Sequence, residues 1–172
     1  PATVVDLGCG PGNVTVYLKQ RWENAQFTGV DGSPEMLEKA RVDLPDVDWV
    51  EDDMKTWRPA EPVDLLYSNA ALHWLPDHQT LFPHLFCLVA EDGTLAVQMP
   101  SNAKAPFQYL MREVARDGGW WDELEPHLRP DPVGPPNFYY DLLRPLARGL
   151  ELWETIYLQA LEGHNPIVDW VK

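Results

Sequence analysis

The sequence predicts an α/β fold: a mostly parallel sheet with helices on both faces, three layers in all. Three observations predict it. Short β-branched runs alternate with helical patterns of roughly ten to fifteen residues, as when crossover helices join parallel strands. The first run, Val4-Val5-Asp6-Leu7, enters a turn with glycines at alternate positions, Gly8, Gly10 and Gly12, and a helical pattern begins directly after it. Asp31 closes the second run about 20 residues further on. A strand, a glycine turn and a helix in that order build a nucleotide pocket at the carboxyl edge of a parallel sheet. Glycine suits backbone that must turn sharply or let another molecule approach closely.

Taken in order, Thr3 to Leu7 is strand one, and Val14 to Gln20 is a helix ending near Arg21. Gln26 to Asp31 is strand two. Ser33 caps the next helix, with Pro34 at its first position and Glu35 favourable to its dipole. That helix runs to about Val42 and stops before Pro45. Val47 to Glu51 is strand three and Val63 to Ser68 strand four. Asp77 caps a helix that carries Leu81, Leu85 and Leu88 on one face, with Pro83 inside the pattern. Asp92-Gly93 then turns the chain into strand five, Thr94 to Met99. Beyond Pro100 the texture changes. Ala105 to Arg116 reads as a helix closed by Gly118-Gly119, and Glu125 to Pro136 as a proline-rich loop. Asn137 to Leu146 is a short helix, Leu150 to Ala160 a sixth strand, and Pro166 to Lys172 opens a last helix.

Composition bounds the function. At 172 residues the chain is one domain, 1–172, and 45% hydrophobic with 11% aromatic residues excludes a disordered chain. A formal net charge of −14 excludes nucleic acid and anionic membranes as partners, since both require a basic footprint. It says little about a small anion, because charges are screened within about 10 Å. Cys9 and Cys87 form no disulfide framework and read as free thiols of a reducing compartment. No basic leader precedes an apolar segment, and no apolar run approaches about 18 residues. The expectation is a cytoplasmic protein, with a monomer compatible and the oligomeric state open.

The pocket residues follow from position. Gly8, Gly10 and Gly12 give G-x-G-x-G, whereas the dinucleotide fingerprint is G-x-G-x-x-G; Asn13 stands where its last glycine would pack the helix on the strand. Asp31 is placed to accept from both ribose hydroxyls, which NAD and S-adenosylmethionine alike present. After strand three, Asp53 can accept from an adenine amino group and the Met54 N–H can donate to the ring. Ser68-Asn69-Ala70-Ala71-Leu72-His73-Trp74 follows strand four at the switch point of the sheet; the plainer alternative is a turn with a buried Trp74. No nucleophile elbow, Ser-His-Asp order or zinc-ligand spacing is present, so no metal is expected.

Asp6-Leu7-Gly8-Cys9-Gly10-Pro11-Gly12-Asn13 resembles motif I of the class I S-adenosylmethionine-dependent methyltransferases, a Rossmann-like αβα fold. More narrowly, Leu95-Ala96-Val97-Gln98-Met99-Pro100, Leu110-Met111-Arg112-Glu113-Val114-Ala115 and Tyr139-Tyr140-Asp141 resemble the trans-aconitate 2-methyltransferase family. So do Leu75-Pro76-Asp77-His78 and Leu81-Phe82-Pro83-His84-Leu85. The resemblance implies an O-methyltransferase that forms a monomethyl ester on a small polycarboxylate and leaves S-adenosylhomocysteine. The cofactor set is Asp6, Gly8, Gly10, Gly12, Asp31, Gly32, Ser33, Met36, Asp53, Met54, Asn69 and Ala70. A carboxylate is already a nucleophile at pH 7, so catalysis is positional and no proton-transfer residue is named. The acceptor side is assigned to His73, Trp74, Arg129, Tyr139, Tyr140 and Arg144, with 101–148 as an insertion or lid. Family members carry a helix or more before strand one and continue beyond Pro166 through an antiparallel strand of a seven-stranded sheet. The expectation here is a chain lacking those segments, with six strands and no antiparallel edge strand. The alternatives are a class I methyltransferase with another small or acyl acceptor, and a cofactor-binding domain without activity.

Overall fold

The computed structural model describes residues 1–102, 105–128, 131–158 and 160–171. Five parallel strands form one sheet: β1 (Thr3–Leu7), β2 (Gln26–Asp31), β3 (Asp48–Glu51), β4 (Val63–Asn69) and β5 (Val89–Gln98). Their order is β3-β2-β1-β4-β5. The chain runs outward from β1 to β3, then restarts at β4 on the other side of β1. The order therefore reverses between β1 and β4, and a crevice opens there at the carboxyl ends.

Side chains alternate faces along each strand, so adjacent residues enter different cores. Val4, Phe27 and Leu65 face one core, closed by Leu18 of α1 (Thr15–Arg21) and by Leu37 and Ala40 of α2 (Pro34–Asp43). Val5, Leu7, Val30 and Leu66 face the other. There they meet Leu81, Phe82 and Leu85 of α3 (His78–Phe86). Tyr139 and Leu143 of a later helix, Pro136–Leu143, complete that layer. The result is the three-layer αβα arrangement that the alternating pattern predicts. Strands buried on both faces explain why β1 and β4 read as nearly continuous apolar runs.

The caps form as their chemistry requires. The Ser33 hydroxyl accepts from Met36 N–H at 3.4 Å with Pro34 in the first turn, and the Asp77 carboxylate accepts from Thr80 N–H at 3.4 Å. Beyond β5 lie α4 (Pro106–Asp117), α5 (Trp121–Leu124) and a 3₁₀ turn at Glu125–His127. Then come α6, the helix at Pro136–Leu143, and α7 (Pro166–Val171). Among the described residues no helix is long and apolar enough to cross a membrane.

Three expectations are corrected. β5 begins at Val89, not Thr94, because the chain passes Asp92-Gly93 within the strand; its register against β4 shifts between Val63 and Leu65. Gly93 permits that irregularity, since a Cβ there would lie 2.8 and 2.9 Å from the Asp64 and Val63 carbonyl oxygens. A short helix, α5, precedes the proline-rich stretch, and a 3₁₀ turn opens it. Leu150 to Ala160 is not a strand: its described residues pair with no neighbour, and 151–158 are exposed. Among the described residues the sheet has five strands.

Leu66 is fully buried at the middle of β4. Leu66→Ala should cost about 2–5 kcal/mol of stability, read as a lower urea midpoint with an unchanged slope.

Candidate active site

The site is built where β1 ends. Gly8, Gly10 and Gly12 have φ of +76°, +53° and +80°, the left-handed region that side chains avoid. Gly8 has a second constraint. A Cβ there would fall 2.2 Å from the Ala71 methyl and 2.7 Å from the Met54 sulfur, so no side chain fits between the loops after β3 and β4. Gly8 and Cys9 N–H donate to the Val30 carbonyl at 2.8 and 3.1 Å, and Gly12 N–H donates to the Cys9 carbonyl at 3.1 Å. Gly10 N–H donates to Asp31 Oδ2 at 2.8 Å. Pro11 has no N–H. The turn thus has its donors at residues 8, 9, 10 and 12 committed within the protein. It offers shape and carbonyl oxygens, not the row of free amides that cradles a pyrophosphate.

Below the turn, Asp6 is 2% exposed and accepts from the Thr15 hydroxyl at 2.6 Å. Burial pushes its carboxyl up to about 6 from 3.8; Asp31 pushes the same way, and the Thr15 hydrogen bond opposes both. The neighbouring Cys9 thiol is also driven upward, first by burial and then by Asp6 and Asp31, so it is an inert wall residue.

Asp31 joins two walls. Its Oδ2 holds the glycine turn, while its Oδ1 accepts from Ser33 N–H at 2.9 Å, at the start of α2. Beside it lies a cavity of about 390 Å³ lined by Gly32, Glu51, Asp52, Asp53 and Met54. Three expected cofactor residues therefore share one cavity. The Asp53 carboxylate is turned to its own loop, accepting from Lys55 N–H at 2.9 Å. Ser33 and Met36 sit in the cap of α2.

On the other side, Asn69 ends β4 opposite Gln98. Ala70 follows with φ +50° and donates its N–H to the Gln98 carbonyl at 3.0 Å. Ala71 abuts Gly8, and a 3₁₀ turn at Leu72–Trp74 comes next. Trp74 is 67% exposed, which removes the alternative of a turn around a buried indole. His73 stands beside it, ring centres 4.6 Å apart, and its Nδ1 is buried without a partner. Burial holds the His73 imidazole below its ordinary range, with Asp131 opposing and His78 adding to the shift.

The remaining acceptor assignments separate. Tyr139 is 6% exposed with its hydroxyl bonded inside the protein, whereas Tyr140 is half exposed. Arg144 donates to the Ala147 carbonyl at 3.3 Å. Arg129 lies outside the described residues. Sequence reasoning missed Thr15, Ala71 and the structural use of His78. Thr15 carried a signal, lying nine residues after a buried acid at the first turn of α1. Ala71 carried none, because its role is a contact across the crevice.

This architecture and this turn define a methyltransferase domain, and residues 4–93 match the model of that family. A trans-aconitate 2-methyltransferase of Azoarcus is 49% identical over 171 residues, covering 99% of this chain and 67% of that protein. One of Escherichia coli is 46% identical over 168 residues, covering 98% of this chain and 65% of that protein. The chain belongs to the trans-aconitate 2-methyltransferase family and spans about two thirds of the length of these curated relatives. Among solved structures, a TehB-like methyltransferase from Corynebacterium glutamicum superposes with TM-score 0.53 at 23% identity, covering 67% and 64% of the two chains. The plantazolicin methyltransferase BpumL, in complex with a pentazolic desmethylPZN analog and S-adenosylhomocysteine, gives 0.55 at 18%, covering 69% and 42%. Both likenesses are to the αβα fold.

Two outcomes test this geometry. Gly8→Ala should abolish nucleoside binding in calorimetry and lower the melting temperature, since both the left-handed backbone and the Ala71 contact oppose a methyl group. Asp6 titrates higher folded than unfolded, so its contribution is present in full below about pH 4 and is lost as pH rises through about 6. A shift of that size is worth about 3 kcal/mol, and Asp6→Asn should flatten that part of the stability–pH profile.

Proposed function

We propose that this chain carries the cofactor and acceptor sites of an S-adenosylmethionine-dependent carboxyl O-methyltransferase, esterifying a small polycarboxylate such as trans-aconitate. The observation that carries the reading is the glycine turn with its amides committed, set over a buried carboxylate and held by Asp31, whose neighbour Gly32 lines a cavity with Asp53 and Met54. A turn without free amides is a poor seat for pyrophosphate. An acid beneath it suits a nucleoside that bears positive charge.

Asp6, Gly8, Gly10 and Gly12 would hold the methionine end, Asp31, Gly32, Ser33 and Met36 the ribose side, and Asp53 and Met54 the adenine. Asn69 and Ala70 would border the sulfur side of the crevice. When bound, the cofactor supplies an electrophilic methyl group on a sulfonium. The chain's own residues then have to orient an acceptor oxygen in line with that methyl at about 3–3.5 Å and exclude water. No residue needs to take a proton, because a carboxylate is ionised at neutral pH. His73 and Trp74 stand on the loop against Gly8, where they can meet the acceptor, and residues 101–148 are the lid over that side. The domain is read as 1–172, acting in the cytoplasm.

A monocarboxylate acceptor is the second reading, favoured by the engagement of three described arginines after β5. Arg148 pairs with Glu91 and Asp92 at 2.7 Å each, Arg116 lies over Trp121, and Arg144 bonds its own turn. A panel of mono- and polycarboxylates assayed for methyl-ester formation separates the two. Calorimetry with S-adenosylhomocysteine separates both from a chain that binds no nucleoside. Asp31→Ala should weaken that binding roughly ten- to a hundredfold, as expected for hydrogen bonds to a charged group. An unchanged affinity removes Asp31 from the ribose site.

A further inference from the structure

We propose that buried His78 and the Tyr139 hydroxyl form a latch that positions the acceptor side, fastening the 131–143 segment to the loop that carries His73. The proposal rests on the methyltransferase reading above. His78 is 3% exposed at the first position of α3, and Tyr139 is buried in α6. Tyr139 Oη lies 2.7 Å from His78 Nδ1, and His78 Nε2 lies 3.0 Å from the Leu72 carbonyl oxygen. Gly134 N–H donates to Tyr139 Oη at 3.0 Å.

Donor counting fixes the direction of the bond to the Leu72 carbonyl, and for a neutral ring that of the bond to Tyr139 as well. A carbonyl oxygen only accepts, so Nε2 carries the His78 proton. In the neutral ring Nδ1 then accepts, and the Tyr139 hydroxyl donates to it. Its oxygen in turn accepts from Gly134. The chain runs unbroken from Gly134 through Tyr139 and His78 to the peptide that joins Leu72 to His73.

Packing alone does not call for this polar pair. Phe82 and Phe138 surround it, with Phe82 and Tyr139 ring centres 4.8 Å apart and Phe138 and Tyr139 5.1 Å apart. Apolar side chains of the same size would fill that space. What the hydrogen bonds add is one allowed register between two elements, since any slip leaves buried polar atoms unpaired. The register matters at His73. That ring has a buried Nδ1 with no partner among the described residues, so its placement rests on the Trp74 ring contact and on the backbone that carries both residues. The groove of about 320 Å³ beside the latch is lined by Asp77, His78, Gln79, Asp131 and 132–135 with Phe138, and none of these described residues is a lysine or arginine. His78 therefore acts through His73.

The test uses the full chain, Tyr139→Phe and His78→Leu. Three quantities are read: S-adenosylhomocysteine affinity, KM and kcat for trans-aconitate, and imidazole ¹⁵N resonances. The wild type should show His78 as the Nε2–H form. Tyr139→Phe should raise acceptor KM roughly three- to tenfold, the worth of a buried hydrogen bond, and leave nucleoside affinity within about twofold. It should also shift the His73 ring resonances. His78→Leu should show the same split, and it decides the matter if Tyr139→Phe does not fold. An unchanged KM with unmoved His73 resonances overturns the latch, and so does an equal loss of nucleoside affinity, which marks a scaffold role. If the wild type methylates no acid, the functional reading fails. The His73 resonances then decide the latch alone: movement supports it and constancy overturns it.

Discussion

The Asp31 carboxylate takes the Gly10 N–H on one oxygen at 2.8 Å and the Ser33 N–H on the other at 2.9 Å. The rest of the pocket depends on that double contact. It ties the turn after β1 to the cap of α2 across the β1–β2 pair, whose register sets Leu7 against Val30. The Val30 carbonyl, one residue earlier, receives the Gly8 and Cys9 amides. A left-handed turn bound at so many points is rigid before any ligand arrives, which lowers the ordering cost of binding. Because each oxygen of Asp31 has a second lone-pair direction, holding the turn does not exhaust its capacity to accept.

The same bonds decide what the turn can recognise. A glycine loop that binds phosphate keeps its amides free and points them at the anion. Here they point inward, and the nearest buried charge is the Asp6 carboxylate. Desolvation opposes ionisation of Asp6, and Asp31 opposes it further. Any positive charge above the turn lowers that penalty, so a cationic ligand and the ionised acid favour each other. The glycine spacing is therefore the visible part of an electrostatic arrangement, and Thr15, which donates to Asp6 at 2.6 Å, is its less visible part.

Much of this was legible in the sequence where the signal is local. β1, β2 and the Ser33-Pro34 cap follow from patterns a few residues long, and the structure keeps those strand bounds. The failures lie where a partner outside the window decides. Residues 150–160 are rich in the aliphatic and aromatic side chains that strands favour, yet a strand exists only by pairing, and β5 shows no partner on its outer edge among the described residues. A hairpin strand depends on its hairpin partner for a place in the sheet, and pattern alone does not supply one. β5 was read too short because Gly93 marks a bulge as readily as a turn. Of the site, the cofactor side was read from backbone motifs. Tyr139 was placed by its neighbours in sequence, and its contact with His78, 61 residues away, had no sequence signal.

The acceptor side poses a different physical problem, because the local field of the pocket and not the charge total decides whether a small anion binds. A net charge of −14 is screened within about 10 Å, so recognition of a small anion rests on short directed contacts. The described arginines after β5 are largely engaged: Arg148 on Glu91 and Asp92, Arg116 on Trp121, Arg144 on Ala147. Arg112 has a buried Nε without a partner. In such a site, the orientation of a few donors matters more than their number. A donor misplaced by about 1 Å loses in-line geometry even when its affinity survives. That is why a buried His78 with both ring nitrogens bonded can matter to an anion it does not touch. It fixes the peptide ahead of His73, and alignment of the acceptor oxygen with the crevice depends on that fixed backbone.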